Sequence, residues 1–314
     1  MKSFIIKTFS LLLLISFSIL ILNFIKKPTV RCITNSLSLD AKLYDIKNHN
    51  FSQVKNIVLG SSMSLNNING KSFTNNTGLS DFYNFSAWGL SICDVFNLLQ
   101  IYNKLYSPKN IFIFSNTMDF ASKGPLFTNL KLKLIESYLN PKFSFFDIPV
   151  VLFYSYPFCK DNIYQFNDSQ TYSDRYESLK YDFSGSVPLE VYNENKRTER
   201  INQRISQYIP TEYQYSKLEE ICRFCKKNNI NLYFIQTPFS SKFLIDQQDI
   251  NIYKKHVIKC ENICNTNEAI YLNINDLINL DDEDFADSTH LNIKNADLFI
   301  HSLKLNIKKE INND

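Results

Sequence analysis

At 314 residues the chain has room for one sizeable domain plus an anchor, or two small domains, and 44% hydrophobic with 21% charged residues is a folded rather than a disordered composition. A formal net charge of +3 without any long Lys/Arg run excludes a phosphate-binding stripe, so no nucleic-acid partner is expected.

The first element is an uncharged, mostly apolar run at residues 8–25, TFSLLLLISFSILILNFI. As a helix it would cover roughly 27 Å, just enough for a hydrocarbon core. Lys2 and Lys7 flank one side and Lys26, Lys27 and Arg31 the other, so charge asymmetry decides orientation only weakly. No convincing small-x-small cleavage site is present, and Thr29, Val30 and Arg31 make a poor lipobox before Cys32. An N-terminal transmembrane anchor over residues 1–27 is therefore preferred to a cleaved signal peptide or a buried helix. Residues 28–53 read as a polar stalk.

Short apolar runs then alternate with amphipathic stretches. Strands are predicted at Asn56–Gly60, Phe82–Ser86, Asn110–Ser115, Asn231–Gln236 and Ala269–Ile274. Helices are predicted at about 89–106, 215–228, 249–264 and 293–309. This order predicts an α/β fold, a three-layer sandwich around a central five-stranded parallel sheet. Its domain would comprise residues 54–120 and 215–314, interrupted after the third strand by an insertion at 121–214. The insertion holds SFFDIPVVLFYSYPF (144–158) and the charged run NENKRTERINQR (193–204), and reads as a cap, a lid or a packed peripheral subdomain.

Seven cysteines are an odd number. Cys222 and Cys225 share an apolar helical face with Leu218 and Ile221, and Cys260 and Cys264 another with Tyr253 and Val257. Buried core thiols are favoured over an interhelical disulfide or a metal site.

Of the four histidines, His49 falls in the stalk, while His256 and His301 sit in helices and read as solvated. His290 follows Asp287 at three-residue spacing in the loop DFADSTHLN, where a carboxylate can orient an imidazole for general-base work. At the other end of the domain NIVLG runs directly into Ser61 and Ser62, a sharp turn that would expose a hydroxyl at a helix start. The second strand leads to Gly89 in NFSAWG and the third to Asn116 in SNTMDF, each a candidate donor to a substrate oxygen.

Together these segments resemble the SGNH/GDSL hydrolase superfamily. GSS matches its first block, with Ser62 as nucleophile; Gly89 matches the oxyanion glycine, and Asp287/His290 match the final D-x-x-H. Ser61 replaces the usual Asp of the first block, as in envelope-associated members resembling the D-alanyl-lipoteichoic-acid and alginate O-acetylation proteins. The third block departs further: aligning on the acid puts Asp119 at its Asp and Met118 at its Asn, whereas a two-residue shift puts Asn116 there.

The resemblance implies a flavodoxin-like fold and a Ser62–His290–Asp287 triad, with Ser62, Gly89 and Asn116 as oxyanion donors. It also implies a serine-dependent esterase or O-acetyltransferase. The substrate would be an acylated glycan or a small acyl ester, handled outside the cytoplasmic membrane without metal or dissociable cofactor. The alternative is a non-catalytic, glycan-binding or scaffolding partner of a multi-pass membrane acyltransferase.

Overall fold

The computed structural model describes residues 2–25, 33–34, 36–49, 54–79, 81–140, 179–191, 194–293, 295–301 and 303. Five parallel strands form one sheet: β1 Asn56–Val58, β2 Phe82–Asn84, β3 Asn110–Ser115, β4 Asn231–Gln236 and β5 Ile270–Asn273, in the order β2-β1-β3-β4-β5. The strands are continuous apolar runs because helices cover both faces, as parallel sheets require. Alternation sorts them: Ile111, Ile113, Leu232 and Phe234 enter one core with Leu98, Leu99, Leu218 and Ile221. Phe112, Phe114, Tyr233 and Ile235 enter the other with Phe73 and Phe299.

The first layer is built from helices Ile92–Tyr106, Glu212–Lys227 and Gln247–Thr266. Their starts are fixed by Ser91, which forms a capping box with Asp94, and by the side chains of Thr211 and Asp246. The second layer uses Gly70–Thr77 and helical residues 295–301. This is the expected doubly wound α/β sandwich. Its strand order reverses between β1 and β3, so a crevice opens at their carboxyl ends.

At the N-terminus, Lys2–Ile25 is helical and side chains from Phe4 to Phe17 are largely exposed. Among the described residues no helix is long and apolar enough to cross a membrane, the side chains of this one being described only as far as Ser18.

The stalk reading needs correction. Residues Leu37–Asn48 form a helix whose Leu39, Leu43 and Ile46 belong to the main core. Its Lys42 is fully buried, donates to the Gly185 carbonyl, and lies 3.9 Å from the Tyr181 ring centre. Burial pulls the Lys42 ammonium down to about 7, against the opposing fields of Asp45 and Asp182. Hydropathy assigned this segment to solvent because its charges are buried.

The two described ends of the insertion are woven into the domain. Helix Asn129–Leu139 adds Ile135, Tyr138 and Leu139 to the core. Val187 N–H donates to Leu65 O at 2.9 Å, and Leu189 bridges Asn292 in parallel. The aromatic run 144–158 lies outside the described residues, as do Cys32 and residues 304–314.

Cys93, Cys222, Cys225, Cys260 and Cys264 are buried free thiols. Burial raises the Cys225 and Cys260 thiols well above their usual range. His256, read as solvated, is instead fully buried. Its position three residues after Tyr253 and four before Cys260 puts it on the inward stripe. Its Nδ1 meets the Tyr215 hydroxyl at 2.9 Å, and burial lowers the imidazole to about 3.

Candidate active site

Three loops meet at the carboxyl rim of β1, β2 and β3. After β1 the chain turns through Gly60 and Ser61 into the short helix Ser62–Asn66. The first N–H groups of a helix have no intrahelical acceptor. Here Ser61 Oγ takes the Met63 N–H at 3.1 Å, while Ser61 O takes those of Ser64 and Leu65. Ser62 is the first residue of the helix, where an N–H has no intrahelical acceptor, and it is half-buried.

Gly60 is required by space. A Cβ there would lie 2.2 Å from Ser64 Oγ and 2.9 Å from Ser64 Cβ. Ser64 cannot yield, because its hydroxyl donates to Phe114 O at 2.9 Å and accepts from Phe114 N–H at 3.0 Å. Gly60→Ala should therefore cost about 2–4 kcal/mol, from overpacking and a strained buried hydrogen-bond pair. Urea denaturation of the two proteins checks this, and an unchanged midpoint would show that the turn relaxes freely.

The D-x-x-H loop is tightly wound. Ala286 N–H donates to His290 O at 2.7 Å, and Phe285 and Leu291 pair as an antiparallel bridge. Within it Asp287 Oδ1 accepts the Thr289 and His290 N–H groups, each at 2.8 Å. Its Oδ2 lies 2.7 Å from His290 Nδ1. An ionised carboxylate only accepts, so Nδ1 carries the proton and Nε2 presents a lone pair. That Nε2 is buried and, among the described residues, has no hydrogen-bond partner. The Ser62–His290 hydrogen bond is therefore not made in this structure.

The two halves are nevertheless clasped together. Asn67, which ends the Ser62 helix, donates through Nδ2 to Thr289 O at 3.4 Å. Its Oδ1 accepts the Leu291 N–H at 2.8 Å. Sequence reasoning missed Asn67, since nothing local marks a contact across more than two hundred residues. It also gave Asp119 no role beyond alignment. Asp119 is almost wholly buried and accepts from the Ser115 hydroxyl at 2.8 Å. Burial pushes its carboxyl up to about 6, with the Ser61 and Ser115 hydroxyls pulling it back and the field of His290 adding to that pull.

The oxyanion candidates divide. Gly89 sits exposed at φ +73°, a left-handed conformation that favours glycine, and a Cβ there would meet nothing within 4 Å. Its loop is tied to the Ser62 turn by Ala87 N–H to Gly60 O at 3.1 Å and by Trp88 Nε1 to Asn66 Oδ1 at 3.0 Å. Asn116 is a correction. It is fully buried, its Oδ1 caps the Met118 N–H at 2.9 Å, and its Nδ2 points at Met63 Sδ, 3.0 Å away. The chain uses it as the cap of the turn Thr117–Phe120, so its amide is not offered to a ligand. Among the described residues no group of three or more His, Cys, Asp or Glu side chains is placed to hold a metal.

The architecture is that of a flavodoxin-like doubly wound sheet with its loops gathered at the switch point. The fold is the one that the resemblance to SGNH/GDSL hydrolases implied. Among solved structures the chain is similar to a "putative acylhydrolase" from Bacteroides fragilis, with 10% identity, 82% of this chain and 88% of that one covered, and a TM-score of 0.40. It is also similar to a GDSL-like lipase from Bacteroides thetaiotaomicron, with 10% identity, 87% and 98% coverage, and a TM-score of 0.42. At such identities and scores neither likeness speaks to the reaction. No family model matches the sequence, and no curated protein matches it.

Proposed function

We propose that this chain is a serine-dependent acyl-ester hydrolase of the SGNH/GDSL type, with Ser62 as nucleophile, His290 as base and Asp287 as its orienting acid. The observation that carries this reading is the Asp287–His290 pair, which holds the imidazole proton on Nδ1 in a loop that Asn67 ties to the Ser62 helix.

In the proposed reaction the Ser62 hydroxyl turns to Nε2, loses its proton to it and attacks the ester carbonyl. Asp287 holds the proton on Nδ1 and stabilises the imidazolium that forms. The N–H groups of Ser62 and Gly89 receive the oxyanion. His290 then returns its proton to the departing alkoxide, and water or a sugar hydroxyl, deprotonated by the same nitrogen, releases the acyl group. With Asn116 turned away, one donor fewer serves the oxyanion, which typically costs about two to three orders of magnitude in rate. Slow turnover, or transfer to a well-placed acceptor, is accordingly expected.

The uncharged, mostly apolar sequence run at residues 8–25 supports an anchored enzyme, and the resemblance to envelope-associated members supports acyl groups of a glycan outside the cytoplasmic membrane as its substrate. The buried Asn116 and the unmade Ser62–His290 bond favour a second reading, a non-catalytic partner of a membrane acyltransferase. A fluorophosphonate probe separates the two. The hydrolase reading expects one covalent adduct, mapped to Ser62 by mass spectrometry, together with release of p-nitrophenol from p-nitrophenyl acetate. Full-length protein in detergent that forms no adduct and releases none belongs to the second reading.

A further inference from the structure

We propose that the segment Ser184–Val191 of the insertion is a strap that sets the spacing between the Ser62 helix and the His290 loop, with Pro188 and Asn292 as positioning residues. This rests on the hydrolase reading above and gives the insertion a part in the same site.

The strap is anchored before it reaches the site. Asp182 Oδ1 accepts the Ser184 and Ser186 N–H groups at 2.8 and 3.0 Å, which closes a tight turn. Ser184 O accepts the Asn84 N–H at 2.8 Å and so fastens that turn to the end of β2. Val187 then meets the helix Ser62–Asn66 through both of its backbone polar groups. Its N–H donates to Leu65 O at 2.9 Å, and its carbonyl accepts from Asn66 Nδ2 at 2.7 Å. Two residues later the same backbone meets the base loop. Leu189 pairs with Asn292 as a parallel bridge and its carbonyl accepts the Ile293 N–H at 2.7 Å. Val191 O accepts from Asn292 Nδ2 at 2.9 Å.

The side chains follow the same path. Val187, Leu189 and Val191 are buried and alternate with half-buried Pro188 and Glu190, the period of an extended strand. Val187 shares a cluster with Leu65 of the nucleophile helix, while Leu189 and Val191 share one with Ala286, the neighbour of Asp287.

The crossing from Val187 to Leu189 can span no more than about 7 Å. Its middle residue is Pro188, whose ring fixes φ at about −65° and which has no N–H to leave unpaired. The Asn67 clasp joins the same two parts at Thr289 and Leu291, and a single clasp leaves an axis about which the loop can pivot. The strap, fastened at Asn292 and Ile293, removes that freedom. Attack by a bound nucleophile depends steeply on such spacing, a misplacement of about 1 Å costing on the order of a hundredfold.

Pro188→Gly is the deciding variant, because it removes no hydrogen bond and only frees the crossing. Asn292→Ala cuts the link to Val191, and Pro188→Ala keeps part of the stiffness. Full-length proteins in detergent are labelled to the end point with a fluorophosphonate, which counts competent sites, and p-nitrophenyl acetate turnover is expressed per labelled site. Turnover per site should fall about tenfold in Pro188→Gly and further in Asn292→Ala, with KM little changed and Pro188→Ala in between. A strap with a merely structural role would lower the melting temperature and the number of sites and leave turnover per site unchanged. That result in Pro188→Gly, or its failure to fold, overturns the strap and leaves the hydrolase reading standing. Wild type without Ser62-dependent labelling overturns that reading and the strap with it.

Discussion

Replacing Ser62 by Ala should abolish hydrolysis of p-nitrophenyl acetate, lowering kcat by about 10⁴- to 10⁶-fold, while the protein folds as before. Ser62 is half-buried at the first position of its helix, and the turn is held by others: Ser61 supplies the cap and Ser64 the link to Phe114. Deleting one hydroxyl oxygen there removes the proposed nucleophile and should leave the packing intact. The residual rate would be that of the donors alone. Matching rates in mutant and wild type, measured on protein purified side by side, would transfer the activity to a contaminant or to another residue.

Asp287→Asn should follow with a loss of about 10³- to 10⁴-fold in kcat. The carboxylate does two jobs in this loop. Its Oδ1 accepts two backbone N–H groups, and its Oδ2 accepts from His290 Nδ1. An Asn oxygen can keep the first role, so the loop should survive. The amide nitrogen then faces Nδ1 as a donor, which forces the imidazole proton onto Nε2 and removes the lone pair that would receive the Ser62 proton. Stopped assays between pH 6 and 9 check this, and a mutant rate within tenfold of wild type would show that Asp287 only shapes the loop.

How much of this was legible in the sequence depended on how local each cause was. β3 and β4 fall where NIFIFS and NLYFIQ put them, because an apolar run bounded by Asn is a signal contained within six residues. The helix Gly70–Thr77 was invisible, as GKSFTNNT offers Phe73 alone to the core. The Asn69 side chain caps its start, and Gly78 at φ +78° ends it. The helix Leu37–Asn48 was mistaken for a stalk because its buried Lys42 and Asp40 look like surface residues until their partners fold around them. At the site, Asp287 and His290 were readable since the spacing itself brings them together. Asn116 was not, because two pointing directions are open to an amide and only the packing of Met63 chooses between them.

The joining of β3 to β4 has a bearing on how the chain is made. These neighbours in the sheet are separated in sequence by everything from Asn116 to Ile230, and closing so long a loop is entropically costly and slow. On a ribosome, β1, β2 and β3 can assemble early, with one edge and much of two oily faces uncovered until the rest arrives. The histidine-bearing loop comes later still, followed by helical residues 295–301. A chain cut short before that loop would be sticky and would lack the proposed base, so under the proposed reaction an unfinished copy would be inert.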